Sequence, residues 1–372
     1  MKRLVVFPSD PMKAYLDLGQ TYEYFEDYFN PGGYFDEVYA LSPWGNKRKE
    51  QHGKIIYIKA RPWEFKWLVS KIKPDVVRAY GGYHCADWLA LSQTSGIPTV
   101  VSIHDTNPKL IFDSIKYADN VICMAQCVQD AVRTKVDCRG KGEYIMPNRI
   151  DTELFSPIID NKLEKELNER FGEGRHILHV GRKSEQKNID TLIKAISFLP
   201  EDISVIFVGR GDFAPYEKLA QEEGVNSRVF CVDHVANADL PKWYSWCDCF
   251  CTPSRWEGFG FVFIEAASCK TPIVTSDIAP MNEYLTDGVD SVLVKEYENP
   301  SALANAILKV LDGNVDLVKI RKNARLVGQK FKKEIVDQQE MQIYQEIIAR
   351  GAVNKVPFGE RLKLNLKYWN FC

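Results

Sequence analysis

The chain has 372 residues, a formal net charge of −2, and 45% hydrophobic and 26% charged residues. That length exceeds one ordinary hydrophobic core and points to two domains of a soluble globular protein. The near-neutral charge gives no global pull toward nucleic acid, and no window has the apolar length that spans a bilayer.

Short apolar runs alternate with longer amphipathic ones from the start. Residues 4–7 read as a strand and 15–29 as an unusually aromatic helix. Strand-like runs follow at 37–41 and 55–58, a helix at 63–73 and a strand at 75–80. A helix over 86–94 precedes strands at 98–104 and 120–124. The opening run, Met1 to Pro8, is too short for a signal peptide, so a cytoplasmic protein is expected. Strand–helix alternation of this kind predicts a parallel sheet covered on both faces.

The stretch Met146-Pro-Asn-Arg-Ile-Asp-Thr-Glu-Leu-Phe-Ser-Pro157 has two prolines and several polar residues and reads as a connector. A second alternating series begins after it. Its strands are expected at 177–180, 204–208, 229–232, 249–252, 272–275 and 291–294, with helices at 191–199, 216–223 and 302–311 between them. Cys247, Cys249 and Cys251 share one face of a strand and read as small buried hydrophobes, since no second ligand pair or spaced His resembles a zinc site. The ten cysteines sit in apolar segments, not in a disulfide-like framework. Residues 316–350 are helix-rich and charged, and the tail 351–372 is basic and aromatic. Within it the alternation over 362–367 is strand-like.

Ligands of doubly wound sheets bind outside the carboxyl ends of the strands. Two segments of the second series supply chemistry there. In Ser254-Arg-Trp-Glu-Gly-Phe-Gly-Phe-Val-Phe-Ile-Glu265, the carboxylates Glu257 and Glu265 flank a Gly258-Phe259-Gly260 turn and a helix start. Glycines admit close backbone approach, and the first helical amides favour an anion. Acids for hydroxyls beside amides for phosphate suit a sugar attached to a phosphate. Upstream, a strand ends at Gly181, and a loop presents Arg182 and Lys187 before a helix that Asn188 or Asp190 is placed to cap. Those two cations suit a diphosphate and the charge a nucleoside diphosphate gathers as it leaves. No Asp-x-Asp metal motif occurs in the chain, so the cations are expected to do this work without an ion.

The second series resembles the retaining glycosyltransferases of family 4. The matching pieces are Gly181-Arg182 through Lys187-Asn188, Val208-Gly-Arg-Gly-Asp212, Pro253 through Gly260 with Glu265, Pro272-Ile-Val-Thr275 and Asn282 through Gly288, together with the connector. A looser fit extends back to Lys73. The resemblance implies a GT-B fold, an α/β architecture of two Rossmann-like doubly wound domains facing a central cleft. The expected divisions are 1–150 on the acceptor side, 151–335 on the donor side, and 336–372 crossing back to the first domain. It implies that Arg182 and Lys187 bind the donor diphosphate beside Gly181, and that Glu257 holds hydroxyls of the transferred sugar. The amides of Gly258, Phe259 and Gly260 would face sugar and phosphates. Glu265 would hold the ribose hydroxyls, the backbone near Val235 would meet the nucleobase, and His104 would reach the reacting sugar.

The implied reaction moves a sugar from a nucleotide-diphosphate donor to a glycan, lipid-linked or small-molecule acceptor, with retention and with no metal or other cofactor. Alternatives are an epimerase or phosphorylase of the same fold, or a non-catalytic nucleotide-sugar-binding partner subunit. A two-carboxylate hydrolase is the rival reading of the glutamate pair. Departures from the family pattern fall on the acceptor and the base. The first loop, Pro8-Ser-Asp-Pro-Met-Lys13, lacks the usual glycine pair, Arg149 replaces a connector glycine, and Asp233-His234 precedes Val235. His84 lies near the same first-domain region. Finally, the Trp- and Lys-rich stretch 63–73, the basic loop 46–50 and the tail suggest peripheral contact with the inner face of a membrane.

Overall fold

The computed structural model describes residues 1–17, 20–45 and 47–369. Asn46 and Phe371, read above as parts of basic surface segments, lie outside the described residues. The chain packs as two compact units, one from Met1 to Pro147 with the chain from Glu334 onward, the other Asn148–Lys333.

The first unit is built on an eight-stranded sheet. Its strands are β1 (Arg3–Phe7), β2 (Glu37–Ser42), β3 (Lys49–His52), β4 (Ile55–Lys59), β5 (Val76–Tyr80), β6 (Thr99–Ile103), β7 (Asn120–Cys123) and β8 (Gly142–Ile145), in the order β3-β4-β2-β1-β5-β6-β7-β8. Every pairing is parallel except β3 with β4. The central strands are buried on both faces, which is why β5 and β6 read as near-continuous apolar runs. β3, Lys49-Glu-Gln-His52, carries no apolar signal because it is an antiparallel edge strand, blunted by charge.

The second unit holds a six-stranded, all-parallel sheet of β9 (Arg175–Val180), β10 (Ile203–Val208), β11 (Val229–Val232), β12 (Cys249–Thr252), β13 (Ile273–Ser276) and β14 (Val292–Val294). Its order is β11-β10-β9-β12-β13-β14. Cys247, Cys249 and Cys251 are free thiols buried in and beside β12. Each sheet reverses its winding beside its first strand, at β1/β5 and at β9/β12. Those carboxyl ends are where such folds open a crevice.

Two local expectations are corrected. Over the helix expected at 15–29 the described residues form two helices, Met12–Leu16 and Tyr22–Phe29, with Leu18 and Gly19 outside the described residues, and Thr21 caps the second by accepting from the Tyr24 amide at 3.2 Å. The strand-like run at 362–367 is helical, within Phe358–Lys367. Leu364 and Tyr368, four residues apart, pack on the first unit's core, and the leucine alternation is spread over opposite helix faces. Further back, the helix Lys333–Arg350 is fastened to β5 through Arg78. That guanidinium donates to Tyr344 Oη at 2.7 Å and to Ser102 Oγ at 2.8 Å, and pairs with Glu340. Among the described residues no helix is long and apolar enough to cross a membrane.

Candidate functional site

In the second unit, β9 delivers Gly181 at the point where the sheet reverses. The loop after β10 presses on it closely. A Cβ at Gly209, whose φ is +138°, would fall 2.1 Å from the Gly181 carbonyl oxygen, so only glycine fits. The loop then turns back through a short 3₁₀ segment, Glu185–Lys187, to Asn188, which takes a left-handed conformation before the helix Ile189–Ile196. Neither residue expected to cap this helix does so through its side chain. Asn188 instead accepts from Thr191 Oγ1 at 2.7 Å and donates to the Tyr297 carbonyl, while Asp190 receives Arg255 at 2.9 Å. Arg255 also donates to the Glu185 carbonyl and to Glu298. The guanidinium thereby locks the Gly181–Lys187 loop to the loop after β12.

Lys187 and Glu257 are both buried, and their side chains meet. Lys187 Nζ donates to Glu257 Oε1 at 2.5 Å, Ser254 Oγ donates to the same oxygen at 2.7 Å, and Gln186 Nε2 approaches Oε2 at 3.3 Å. The lysine stem lies against Gly181, where an added Cβ would sit 3.0 Å from Lys187 Cε. A carboxylate held this way is fixed in place, with a lone pair of Oε2 left for a further donor.

After Glu257 the chain passes half-buried Gly258 and buried Phe259 to Gly260, whose φ of +82° sets the entry to the helix Phe261–Ser268. Tyr284 Oη donates to the Phe259 carbonyl at 2.8 Å, and the Phe259 ring packs on Tyr284 and Phe331. The helix thus begins four residues after Glu257, with its first amides free of intrahelical partners. Glu265, the fifth helical residue, accepts from Tyr244 Oη at 2.9 Å. Part of its surface is accessible, yet it sits deep among protein atoms. That burial pushes its carboxyl up to about 7, against the Tyr244 hydrogen bond and the Lys187 charge, which both favour ionisation.

Arg182 is exposed and lines a cavity of about 450 Å³ with Lys183, Gln186, Arg210 and Trp256. The structure thus gathers Gly181, Lys187, Glu257, Gly258, Phe259, Gly260 and Glu265 around the β9/β12 reversal, with Arg182 on the adjoining cationic cavity. Val235 is half-buried in the loop after β11 and stands outside the hydrogen-bonded group.

His104 belongs to the first unit. It follows β6 and lines a cavity of about 290 Å³ with Ser9, Tyr15, Tyr80, Tyr83 and Asp105, its ring stacked toward Tyr80. Burial, with the nearby Arg78 charge, holds its imidazole down to about 4, so it is neutral at physiological pH. The glycine-free first loop is pinned beside it. His84 Nε2 bonds the Ser9 carbonyl at 3.0 Å, Cys85 Sγ donates to the Pro8 carbonyl, and Tyr15 Oη bridges Ser9 and Asp10.

Sequence reasoning did not single out Gln186, Ser254, Tyr244 or Arg210. Ser254 and Gln186 lie inside the quoted motifs, each one helical turn or less from a named residue, so proximity was a usable signal. Tyr244 comes from the helix Leu240–Trp246 and reaches Glu265 only through tertiary packing.

A family profile described as Glycosyl transferases group 1 matches residues 160–327. A D-inositol 3-phosphate glycosyltransferase of Xylanimonas cellulosilytica is 29% identical over 198 residues, 50% of this chain and 47% of the relative. The match thus spans about half the length of that relative. An alpha-D-kanosaminyltransferase of Streptomyces kanamyceticus is 24% identical over 69% of this chain and 72% of its own. Among solved structures, the sucrose-phosphate synthase of Thermosynechococcus elongatus superposes with a TM-score of 0.74 at 20% identity, covering 94% of this chain and 100% of that one. The Anabaena protein HepE in complex with UDP gives 0.74 at 19% identity, covering 93% and 100%. The fold is GT-B.

Proposed function

Residues 160–327 form a glycosyl transferases group 1 domain, and from that premise we propose that the chain is a retaining, metal-independent glycosyltransferase using a nucleotide-diphosphate sugar. The observation that carries the reading is the buried Lys187–Glu257 pair at the β9/β12 reversal, with Glu265 on the following helix.

Glu257 accepts hydroxyls of the transferred sugar, held in register by Ser254 and Gln186. Lys187 has three N–H donors, so it keeps Glu257 while turning another toward a phosphate oxygen. Arg182 and Arg210 add charge from the adjoining cavity. As the glycosidic bond breaks, the leaving diphosphate gains negative charge that these cations and the first helical amides stabilise. Glu265 accepts the ribose hydroxyls, a bidentate task suited to a carboxylate. The acceptor hydroxyl attacks the anomeric carbon from the face the phosphate leaves and gives its proton to a departing phosphate oxygen. Positioning and charge stabilisation then supply the rate, with no side-chain nucleophile. The cavity around His104 is the acceptor-side counterpart, and the glycan, lipid-linked or small-molecule acceptor is its ligand.

Proton NMR of the product formed from an α-linked nucleotide sugar in the presence of a chelator tests the reading. An α-anomeric product is expected. A β product, or transfer that needs an added divalent metal, rejects retention or metal independence respectively.

A further inference from the structure

The helix Phe358–Lys367 has two apolar faces. Leu364 and Tyr368 point inward to the core of the first unit. The outward face carries Phe358, Leu362 and Leu366, continued by Trp369 just past the helix end. All four are exposed, Phe358 to 84% and Leu366 to 65%. Their spacing of four, four and three residues places them on one stripe. Soluble helices turn polar groups to water, so an outward apolar stripe of this length marks a surface that something covers.

The stripe continues onto a second element. The Trp369 ring meets Trp63 at 5.4 Å, and Arg61 lies over the Trp63 ring. The helix Phe65–Ile72 then exposes Trp67 to 57%, with Lys71 over its ring. Cations surround the aromatic and aliphatic surface. Arg61, Lys66, Lys71 and Lys73 neighbour the tryptophans in the chain, and Lys363 neighbours Leu362, all exposed. The acids among them are Glu64, which pairs with Arg48 and the Arg61 amide, and Glu360, which pairs with Lys363. Apolar side chains rimmed by a surplus of positive charge are complementary to an anionic bilayer surface, where Trp, Leu and Phe enter the headgroup boundary and Lys and Arg meet phosphates.

We propose that this face of the first unit, formed by the outward stripe of Phe358–Lys367 and the Trp63/Trp67 surface, docks the protein on an anionic lipid membrane. It uses none of the donor-site residues and stands or falls apart from the catalytic reading.

Co-sedimentation of the full chain with vesicles, read without donor or acceptor, tests it. Vesicles of phosphatidylcholine with phosphatidylglycerol at about three to one are expected to bind the protein, and pure phosphatidylcholine vesicles to leave it in solution. Raising salt weakens the binding. The double variant Leu362→Asp with Leu366→Asp alters exposed positions only and is expected to lower the vesicle affinity at least ten-fold, as is Lys66→Glu with Lys71→Glu. The melting temperature of each variant confirms that it is folded. Wild-type protein that ignores the anionic vesicles, or folded variants that bind as well as wild type, would overturn the proposal. So would a wild-type dimer in light scattering that Leu362→Asp with Leu366→Asp turns into a monomer without changing vesicle binding, since the face would then belong to a second copy.

Discussion

Lys187 and Glu257 form a buried ion pair, Nζ to Oε1 at 2.5 Å, that joins the loop after β9 to the loop after β12. The two residues are 70 positions apart in sequence. Their meeting ties the group read as the phosphate cation to the group read as the sugar carboxylate.

Removing one partner of a buried pair leaves the other charge uncompensated, at a cost of about 3 kcal/mol. Glu257→Ala is expected to lose transfer by at least about 100-fold and to lower the melting temperature. Glu257→Gln keeps a hydrogen-bonding group for Lys187 and is expected to melt closer to wild type while still transferring poorly. Calorimetry beside a transfer assay checks both. Equal melting of wild type and Glu257→Ala would contradict the pair's structural part.

Glu265 gives the donor site a pH dependence. Its carboxyl is raised to about 7 by burial, so the folded protein holds a proton there that the unfolded chain releases near pH 4.5. The associated stability is fully present below the unfolded value and is lost as pH rises through about 7. Ribose hydroxyls donate to the ionised form, so affinity for a sugar nucleotide is expected to rise from pH 6 to 8 and level off. Titration calorimetry should show this slope in wild type and a flat line in Glu265→Gln.

His104 behaves in the opposite sense. Its imidazole is held down to about 4, so it is neutral across the range where Glu265 titrates. Protonation of His104 therefore contributes nothing to a kinetic limb near pH 7. In His104→Asn the limb is expected to persist on a profile lowered about ten-fold or more, and in Glu265→Gln to vanish. A profile with the reverse pattern would assign the limb to the wrong unit.

Gly260 sets the helix entry that aims the first amides. At its φ of +82°, a Cβ would lie 2.6 Å from Phe263 Cδ2. Gly260→Ala is expected to cost about 2 kcal/mol and to raise the donor KM, because the Phe263 ring or the loop must shift. Tyr284→Phe, which removes the 2.8 Å bond to the Phe259 carbonyl, is expected to cost about 1 kcal/mol. Denaturant melts with donor kinetics measure both.

Much of this was legible in the sequence because buried parallel strands announce themselves as apolar runs, as β5, β9 and β10 do. The fold class followed from them. The polar edge strand Lys49–His52 was invisible because its stability comes from pairing with β4, not from burial. The leucines at 362–367 misled because alternation there serves two helix faces. At the site, the motifs singled out Glu257 and Lys187 but not their contact, and Tyr244 on Glu265 carries no local mark at all.

A thermal-shift screen of wild type against uridine, guanosine, adenosine and thymidine diphosphate sugars, repeated on Glu265→Ala, tests the central claim most directly. A ligand that binds only the folded state raises the melting temperature. One of the four is expected to do so in wild type, with most of the rise lost in Glu265→Ala. No rise with any sugar nucleotide, or an undiminished rise in Glu265→Ala, would contradict a donor site built on these residues.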